Sequence, residues 1–269
     1  MKILLTGDKG FVGRHIGAAL RADGHTVIGI EAETQFSEWV GKFERSKRYY
    51  VALKDIDAVV HAGAIATNQS TDPSIFIWNS YATMVLAKYV RDRYGDIPFV
   101  FFSTFQVNVI EKDMSNGSWY GWSKKYAEEC LKEVLPHATI LRPGVMWGDE
   151  QHKSNPNDRS VPFNLATHHL KFLYKYWGRD YVHISDAVEA VKVALRDQPC
   201  GIFHLTGEYW WNMDLAKLTD WGGYELIDNS ENGTKFQFNA GITPEDFEGL
   251  TVLPNWTVQA DLKLSLIHI

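Results

Sequence analysis

Cysteine is nearly missing from this chain: 2 in 269 residues, Cys130 and Cys200. They offer neither a disulfide framework nor metal-ligand spacing, and no metal site is expected. No apolar run approaches the roughly 20 residues of a membrane-spanning helix. The opening Lys2-Ile3-Leu4-Leu5-Thr6 is too short an apolar stretch for a secretory signal. Positive charge is also scarce, with 27 Lys and Arg against 33 Asp and Glu, a net charge of −6. The last 69 residues carry 3 basic and 10 acidic side chains, so the excess sits there, and the acid-rich stretch from Asp228 to Glu248 reads as a solvated face. Without a basic stripe or a Lys/Arg-rich amphipathic helix, neither nucleic acid nor a membrane is an expected partner, and a cytoplasmic location is expected. With 9 Pro and 21 Gly the composition is that of a globular chain, not a disordered or collagenous one. What is plentiful is aromatic: 14 Phe, 12 Tyr and 10 Trp, enough for a large core or a lined cleft.

Short apolar, β-branched runs at Ile3–Thr6, Thr26–Ile30, Asp57–His61, Pro98–Ser103, Thr139–Leu141 and Gly201–Leu205 read as strands. Helical periodicity fills the intervals, over Phe11–Asp23, Pro73–Tyr94, Trp119–Leu135 and Asp186–Asp197, with further helices expected at Val161–Tyr174 and Met213–Trp221. The alternation predicts an α/β fold: a Rossmann-like doubly wound parallel sheet with a smaller C-terminal lobe. Residues 1–145 are expected to form the sheet domain, with 179–206 returning to it. The lobe is expected to comprise 146–178 and 207–269. The apolar ending Leu262–Ile269 carries no capping or turn residues and reads as cut short.

Gly7, Gly10 and Gly13 fall between the first strand and the first helix, in the run Gly7-Asp8-Lys9-Gly10-Phe11-Val12-Gly13. Glycines there permit a tight turn and let backbone N–H groups at the helix N-terminus approach a pyrophosphate. Glu31 follows the second strand, where an acid accepts hydrogen bonds from an adenosine ribose and repels a 2′-phosphate, favouring NAD over NADP. Glu33 is a rival for that role, and Lys42, Arg45, Lys47 and Arg48 would favour NADP if they folded back. Tyr120 and Lys124 open a helix four residues apart, so phenol and ammonium share one face. A neighbouring cation stabilises a phenolate and is expected to lower the Tyr120 pKa. Such a tyrosine can take a hydroxyl proton while hydride leaves carbon for a nicotinamide. Ser103 and Thr104 end the preceding strand, at the sheet edge where ligands collect, and Thr104 is placed to hold the reacting oxygen.

This order of motifs resembles the extended short-chain dehydrogenase/reductases, specifically the NAD-dependent epimerase/dehydratase family. Thr6 to Gly13 looks like that family's cofactor loop, including Phe11 and Val12. Asp57 to Ala64 looks like its strand ending beside the cofactor, which implies cofactor contacts from His61, Ala62 and Gly63. Asn79 matches an asparagine on the next helix. Phe102-Ser103-Thr104 resembles the strand bearing the catalytic hydroxyl, with Ser103 against the cofactor, and Tyr120 to Lys124 resembles the Y-G-x-S-K signature. Leu141-Arg142-Pro143 with Gly148, and Arg179 to Asp186, are similar to two further segments, the second implying that Arg179 contacts nucleotide phosphates. Several pieces, His61 to Ala64, Ile97-Pro98-Phe99, Gly201-Ile202-Phe203, Gln259-Ala260-Asp261 and the loop holding His152-Lys153, look most like the ADP-glycero-manno-heptose 6-epimerases. That likeness implies an ADP-heptose-like substrate and a second acid/base at Lys153.

The resemblance implies a nucleotide-sugar epimerase with tightly held NAD (NADP being the alternative), 1–145 as the dinucleotide domain, the lobe as the substrate domain, and a homodimer or larger homo-oligomer. The rivals are a reductase or dehydratase of the same fold, and a nicotinamide-binding sensor or scaffold without chemistry. Phe105-Gln106 stands where dehydratases usually carry an acidic pair, and Asn108 replaces a common tyrosine. His168-His169 is placed in a helix with a structural role, and Trp210-Trp211 before a helix, as core packing.

Overall fold

A computed structural model describes residues 1–30, 55–66, 71–148, 161–166, 168, 172–218, 222–227 and 244–260. Six strands form one parallel sheet: β1 (Lys2–Thr6), β2 (Thr26–Ile30), β3 (Ala58–His61), β4 (Phe99–Phe102), β5 (Thr139–Pro143) and β9 (Gly201–Leu205), in the order β2-β1-β3-β4-β5-β9. The chain leaves β1 for β2 on one side and reaches β3 on the other. Connections diverge at that reversal and open a crevice at the carboxyl ends of β1 and β3. The register sets Thr6 beside both Ile30 and His61, so the crevice begins at those three residues.

Both faces of the sheet are covered, which is why its strands are apolar runs and not alternations. Ile3 and Leu5 pack under α1 (Phe11–Ala22) and α6 (Ile184–Asp197), with Ile16, Leu20, Val191 and Leu195. Leu4 faces the other way, towards α2 (74–94) and α4 (Trp119–Val134), with Leu86, Val90 and Leu131. Helix α2 begins at Ser74–Phe76, widens into a π-helical turn at Ile77–Tyr81 and continues as Ala82–Tyr94; α4 spans Trp119–Val134. Between β4 and α4 lies α3 (Gln106–Lys112), which the sequence reading left without an element.

The smaller elements differ more from expectation. The helix expected over Val161–Tyr174 is α5, Val161–Ala166 only. Beyond it His168 takes φ 59°, and Phe172–Tyr174 is strand β7, parallel to β11 (Glu225–Ile227). His168 therefore lies in a turn, and His169 lies outside the described residues. A three-stranded sheet joins β10 (Glu208–Trp211), β8 (Gly178–His183) and β6 (Val145–Trp147). Trp210 and Trp211 thus belong to a strand, and the helix expected over Met213–Trp221 is α7, Asn212–Leu215, with a 3₁₀ turn at Ala216–Leu218. Of 179–206, α6 and β9 join the main sheet, whereas β8 pairs in the second one.

Candidate active site

The glycine loop is held shut by backbone contact. Gly7 N–H donates to Ile30 O at 2.8 Å and Gly10 N–H to Gly7 O at 3.0 Å. Gly7 has φ 70°, and a Cβ there would stand 2.7 Å from Gly63 Cα; one on Gly13 would stand 2.0 Å from Gly7 O. The two positions are closed to any side chain without moving backbone. Gly10 caps α1 with no side chain bonded to the first turn, so its N-terminal amides face the crevice uncapped. Here a cleft is lined by Thr6, Gly7, Ile30, His61, Gly63, Ala64, Ile65 and Trp78.

His61 does not turn its ring to that cleft. It is 2% exposed, with Nδ1 2.6 Å from Thr6 Oγ1 and Nε2 2.7 Å from Thr83 Oγ1. The Thr83 hydroxyl donates to Asn79 O at 2.7 Å, so it accepts from Nε2–H. The Nδ1 lone pair then accepts from Thr6, whose oxygen in turn accepts from Gly63 N–H at 3.0 Å. Each proton has one place, and the imidazole is neutral. Burial and the Lys124 charge hold its pKa down at about 3.

Asn79 is a bracket. Its amide oxygen accepts from Ile65 N–H at 2.8 Å, while Nδ2 donates to Ile65 O and to Ser123 Oγ, both at 3.0 Å. The neighbouring Ser80 hydroxyl donates to Ser123 O at 2.7 Å. The π-helical turn presents both side chains to α4, tying the loop after β3 to the helix that carries Tyr120. Single-turn π segments recur at functional sites.

Helix α4 starts where it does because Ser118 caps it, its Oγ accepting from Gly121 N–H at 2.9 Å and donating to Gln106 Oε1. A Cβ on Gly121 would meet Ile110 Cδ1 at 3.0 Å, which explains a glycine after Tyr120: α3 passes too close for more. Tyr120 thus lies in the first turn, at the positive end of the helix dipole. It is half-buried, and the Thr104 hydroxyl stands on the side of its phenol. Lys124 is 2% exposed; its Nζ donates to Phe102 O at 2.7 Å and sits 4.6 Å from the centre of the Phe101 ring.

The expected depression of the phenol is not what this arrangement produces. Burial pushes the Tyr120 pKa up to about 12, opposed only by the Thr104 hydroxyl. The ammonium is spent on the Phe102 carbonyl, and burial pulls Lys124 itself down to about 7 against the pull of Glu128. In this state the phenol keeps its proton at neutral pH.

Ser103, Thr104, Tyr120 and Lys124 therefore come together at the end of β4, and Thr6, Gly7, His61, Gly63 and Asn79 at the crevice beside it. Arg179 lies elsewhere, in the second sheet; its guanidinium donates to Gly178 O at 2.6 Å and lies 5.9 Å from the centre of the Trp177 ring. Glu31 and Lys153 are outside the described residues. Glu128 escaped the sequence reading, although its place one turn beyond Lys124 was a usable signal. Fully buried, it accepts from the Ser103 hydroxyl and from two Arg142 nitrogens, Nε at 2.9 Å and a terminal nitrogen at 2.6 Å. Asn108, in place of the common tyrosine, bridges Arg142 to His204. Among the described residues no group of three His, Cys, Asp or Glu is placed to hold a metal ion, and no helix is long and apolar enough to cross a membrane.

The NAD dependent epimerase/dehydratase family matches residues 3–204, three quarters of the chain, including every element just described around the crevice. The chain belongs to the NAD dependent epimerase/dehydratase family. It is an enzyme of that family, and solved structures share its fold over nearly their whole length. The UDP-glucose 4-epimerase of Thermotoga maritima, solved with UDP-glucose, is 20% identical, with 99% of this chain and 96% of that one covered and a TM-score of 0.70. The dTDP-glucose 4,6-dehydratase of Bacillus anthracis, solved with NAD, is 18% identical, with coverage of 100% and 94% and a TM-score of 0.71. The UDP-glucose 4-epimerase of Thermus thermophilus, also solved with NAD, is 20% identical, with 100% and 98% covered and a TM-score of 0.69.

Proposed function

We propose that this enzyme is a nucleotide-sugar epimerase that uses NAD to oxidise a sugar carbinol transiently and to restore it with the opposite configuration. The carrying observation is the meeting of Thr104, at the end of β4, with Tyr120 in the first turn of α4, with Lys124 one helical turn on. The crevice fits a dinucleotide on its own terms: glycines where a Cβ would fill the cradle, and an uncapped helix N-terminus for a pyrophosphate. Gly7, Gly10, Phe11, Val12 and Gly13 would hold the phosphates, Ala62 and Gly63 would border the nucleotide, and His61 and Asn79 would fix that border from behind. Glu31 would select the ribose without a 2′-phosphate. NAD, when bound, would supply the hydride acceptor and donor and a positive charge.

Thr104 holds the reacting oxygen. Tyr120 takes its proton, which requires the phenol to fall from about 12 towards neutrality. That is worth about 7 kcal/mol at about 1.4 kcal/mol per unit, more than Lys124 alone supplies in its present hydrogen bond. The helix dipole contributes up to about 1 kcal/mol, and the remainder falls to the ligands. Arg179 and the lobe of 146–178 and 207–269 would hold the nucleotide-sugar, and Lys153 would act as a second proton donor on the opposite face.

Dehydration is the second reading, and one observation weighs against it. Elimination needs an acid for the departing hydroxyl, yet Phe105 is stacked on Phe247 at 4.2 Å and Gln106 is bonded to Ser118. An ADP-heptose-like sugar is the favoured substrate among nucleotide-sugars. A homodimer is proposed as well, with Ile77, Tyr81, Trp119 and Tyr126 exposed together on α2 and α4 as the contact face, which light scattering would test.

The test is incubation with ADP-, GDP-, UDP- and dTDP-sugars, with and without NAD, followed by NMR. Inversion without net loss of cofactor supports the proposal, and Tyr120→Phe should lower it about 100-fold or more. Stoichiometric consumption of NAD(P)H would replace it with a reductase. No dinucleotide binding would refute it.

A further inference from the structure

The end of β4 and one face of α4 meet residue by residue. Phe102 O accepts from Lys124 Nζ, the Ser103 hydroxyl donates to Glu128, and the Thr104 hydroxyl lies on the side of the Tyr120 phenol. Three consecutive strand-end residues thus engage three helix residues spaced by four, the spacing that aligns side chains along one helical stripe. Tyr120 and Lys124 have roles in the proposed reaction; Glu128 touches neither substrate nor cofactor in it.

Glu128 is nevertheless the best-anchored member. It is fully buried, and Arg142 binds both of its oxygens. The other edge of Arg142 is occupied by Glu111, at 2.8 and 3.0 Å, and by Asn108 at 2.7 Å. Glu111 reaches Lys125 at the surface. The paired charges therefore alternate from solvent inward, Lys125, Glu111, Arg142 and Glu128, and Lys124 lies one helical turn before Glu128. On the remaining sides Lys124 faces the Phe101 ring and Phe102 carbonyl of β4, neutral His61 of β3, and Tyr120 of its own helix. Among the described residues Glu128 is the carboxylate whose charge favours the protonated form of Lys124.

We propose that Glu128 is the positioning residue of this site, holding the Lys124 ammonium charged and the Ser103–Thr104 strand end in register with Tyr120. The inference rests on the Tyr120–Lys124 reading above. A buried amine without a carboxylate beside it gives up its proton more readily, so the interaction of Lys124 with a dinucleotide should fail at lower pH.

The experiment compares the wild type with Glu128→Gln, Glu128→Asp and Ser103→Ala. NAD affinity is followed by tryptophan fluorescence from pH 6 to 10, alongside kcat on the sugar that the wild type converts. Glu128→Gln should move the alkaline loss of NAD affinity down by about one pH unit or more, and Glu128→Asp should restore it towards the wild-type position. Ser103→Ala should leave that limb in place and lower kcat about tenfold, the scale of a small misplacement of the reacting groups. Coincident limbs for Glu128→Gln and wild type overturn the inference. Should Glu128→Gln not fold, the limb of Glu128→Asp and the kcat of Ser103→Ala decide, and wild-type values for kcat in the latter overturn it. NAD binding without sugar conversion refutes the proposed function and leaves the affinity limb to judge Glu128. Absence of NAD binding refutes both.

Discussion

Replacing His61 by Gln tests the directional hydrogen-bond chain at the crevice. In the folded protein the ring is neutral with a pKa of about 3, held there first by burial and then by Lys124. In the unfolded chain it has the ordinary value of 6.5. At pH 7 the folded ring is unprotonated and about a quarter of unfolded chains carry the proton, so the group adds only a slight pH dependence there. As the pH falls below 6.5 the unfolded chain binds a proton that the folded chain refuses until about pH 3, so stability drains away at up to about 1.4 kcal/mol per pH unit. From pH 6.5 to pH 5 the loss is about 2 kcal/mol. That figure requires only that the folded pKa lie well below 5. His61→Gln should be less stable than wild type at pH 7, having lost its fitted partners Thr6 and Thr83, by about 1–3 kcal/mol. Because Gln does not titrate, the gap should narrow by about 2 kcal/mol at pH 5 in urea unfolding curves taken at both pH values. A gap that stays constant would refute the neutral buried ring. Side-chain NMR offers a direct view, with an Nε2–H tautomer persisting at pH 5.

Other outcomes follow from the same geometry. Gly13→Ala places a methyl 2.0 Å from Gly7 O, so the loop must open, and NAD affinity should fall about tenfold or more in calorimetric titration while the sheet stays folded. Asn79→Ala strips partners from Ile65 and Ser123 and should cost about 2–3 kcal/mol in denaturant unfolding. Asp180, 4% exposed with one oxygen unpartnered, has its pKa raised by burial from 3.8 to about 7. Its folded form holds a proton that the unfolded chain has released, and stability declines as pH rises through that window. Asp180→Asn removes the ionisation, so the variant should gain about 2–3 kcal/mol on wild type between pH 5 and pH 8, read from the same unfolding curves.

What could be read in the sequence was what is local. Gly7, Gly10 and Gly13 declare a strand-to-helix turn, and Tyr120 and Lys124 share a face because a helix has one period. The strands β1 to β5 and β9 are apolar runs covered on both sides, so composition alone marks them. Elements whose existence depends on a distant partner were not legible. Phe172–Tyr174 continues a helical pattern in sequence but is a strand because Glu225–Ile227 lies alongside it. Trp210 and Trp211 look like core aromatics preceding a helix, yet they pair with Arg179 and Gly178. At the site, the phenol and amine were foreseen, but their pKa order was not. It depends on Phe102 O and Glu128, which fold in from another strand and another turn.

The widened turn at Ile77–Tyr81 fixes more than the outline of α2. It offsets the rotational phase of everything after it, since one residue of an α-helix corresponds to about 100°. Deleting a single residue within it would restore regular pitch and swing Thr83 away from the imidazole, while Asn79 and Ser80 could no longer both meet Ser123. The crevice wall and the helix that carries Tyr120 are thereby keyed together like a lock with two pins. A change of chain length there should disable both at once, whereas one on the solvent side of the same helix need disturb neither.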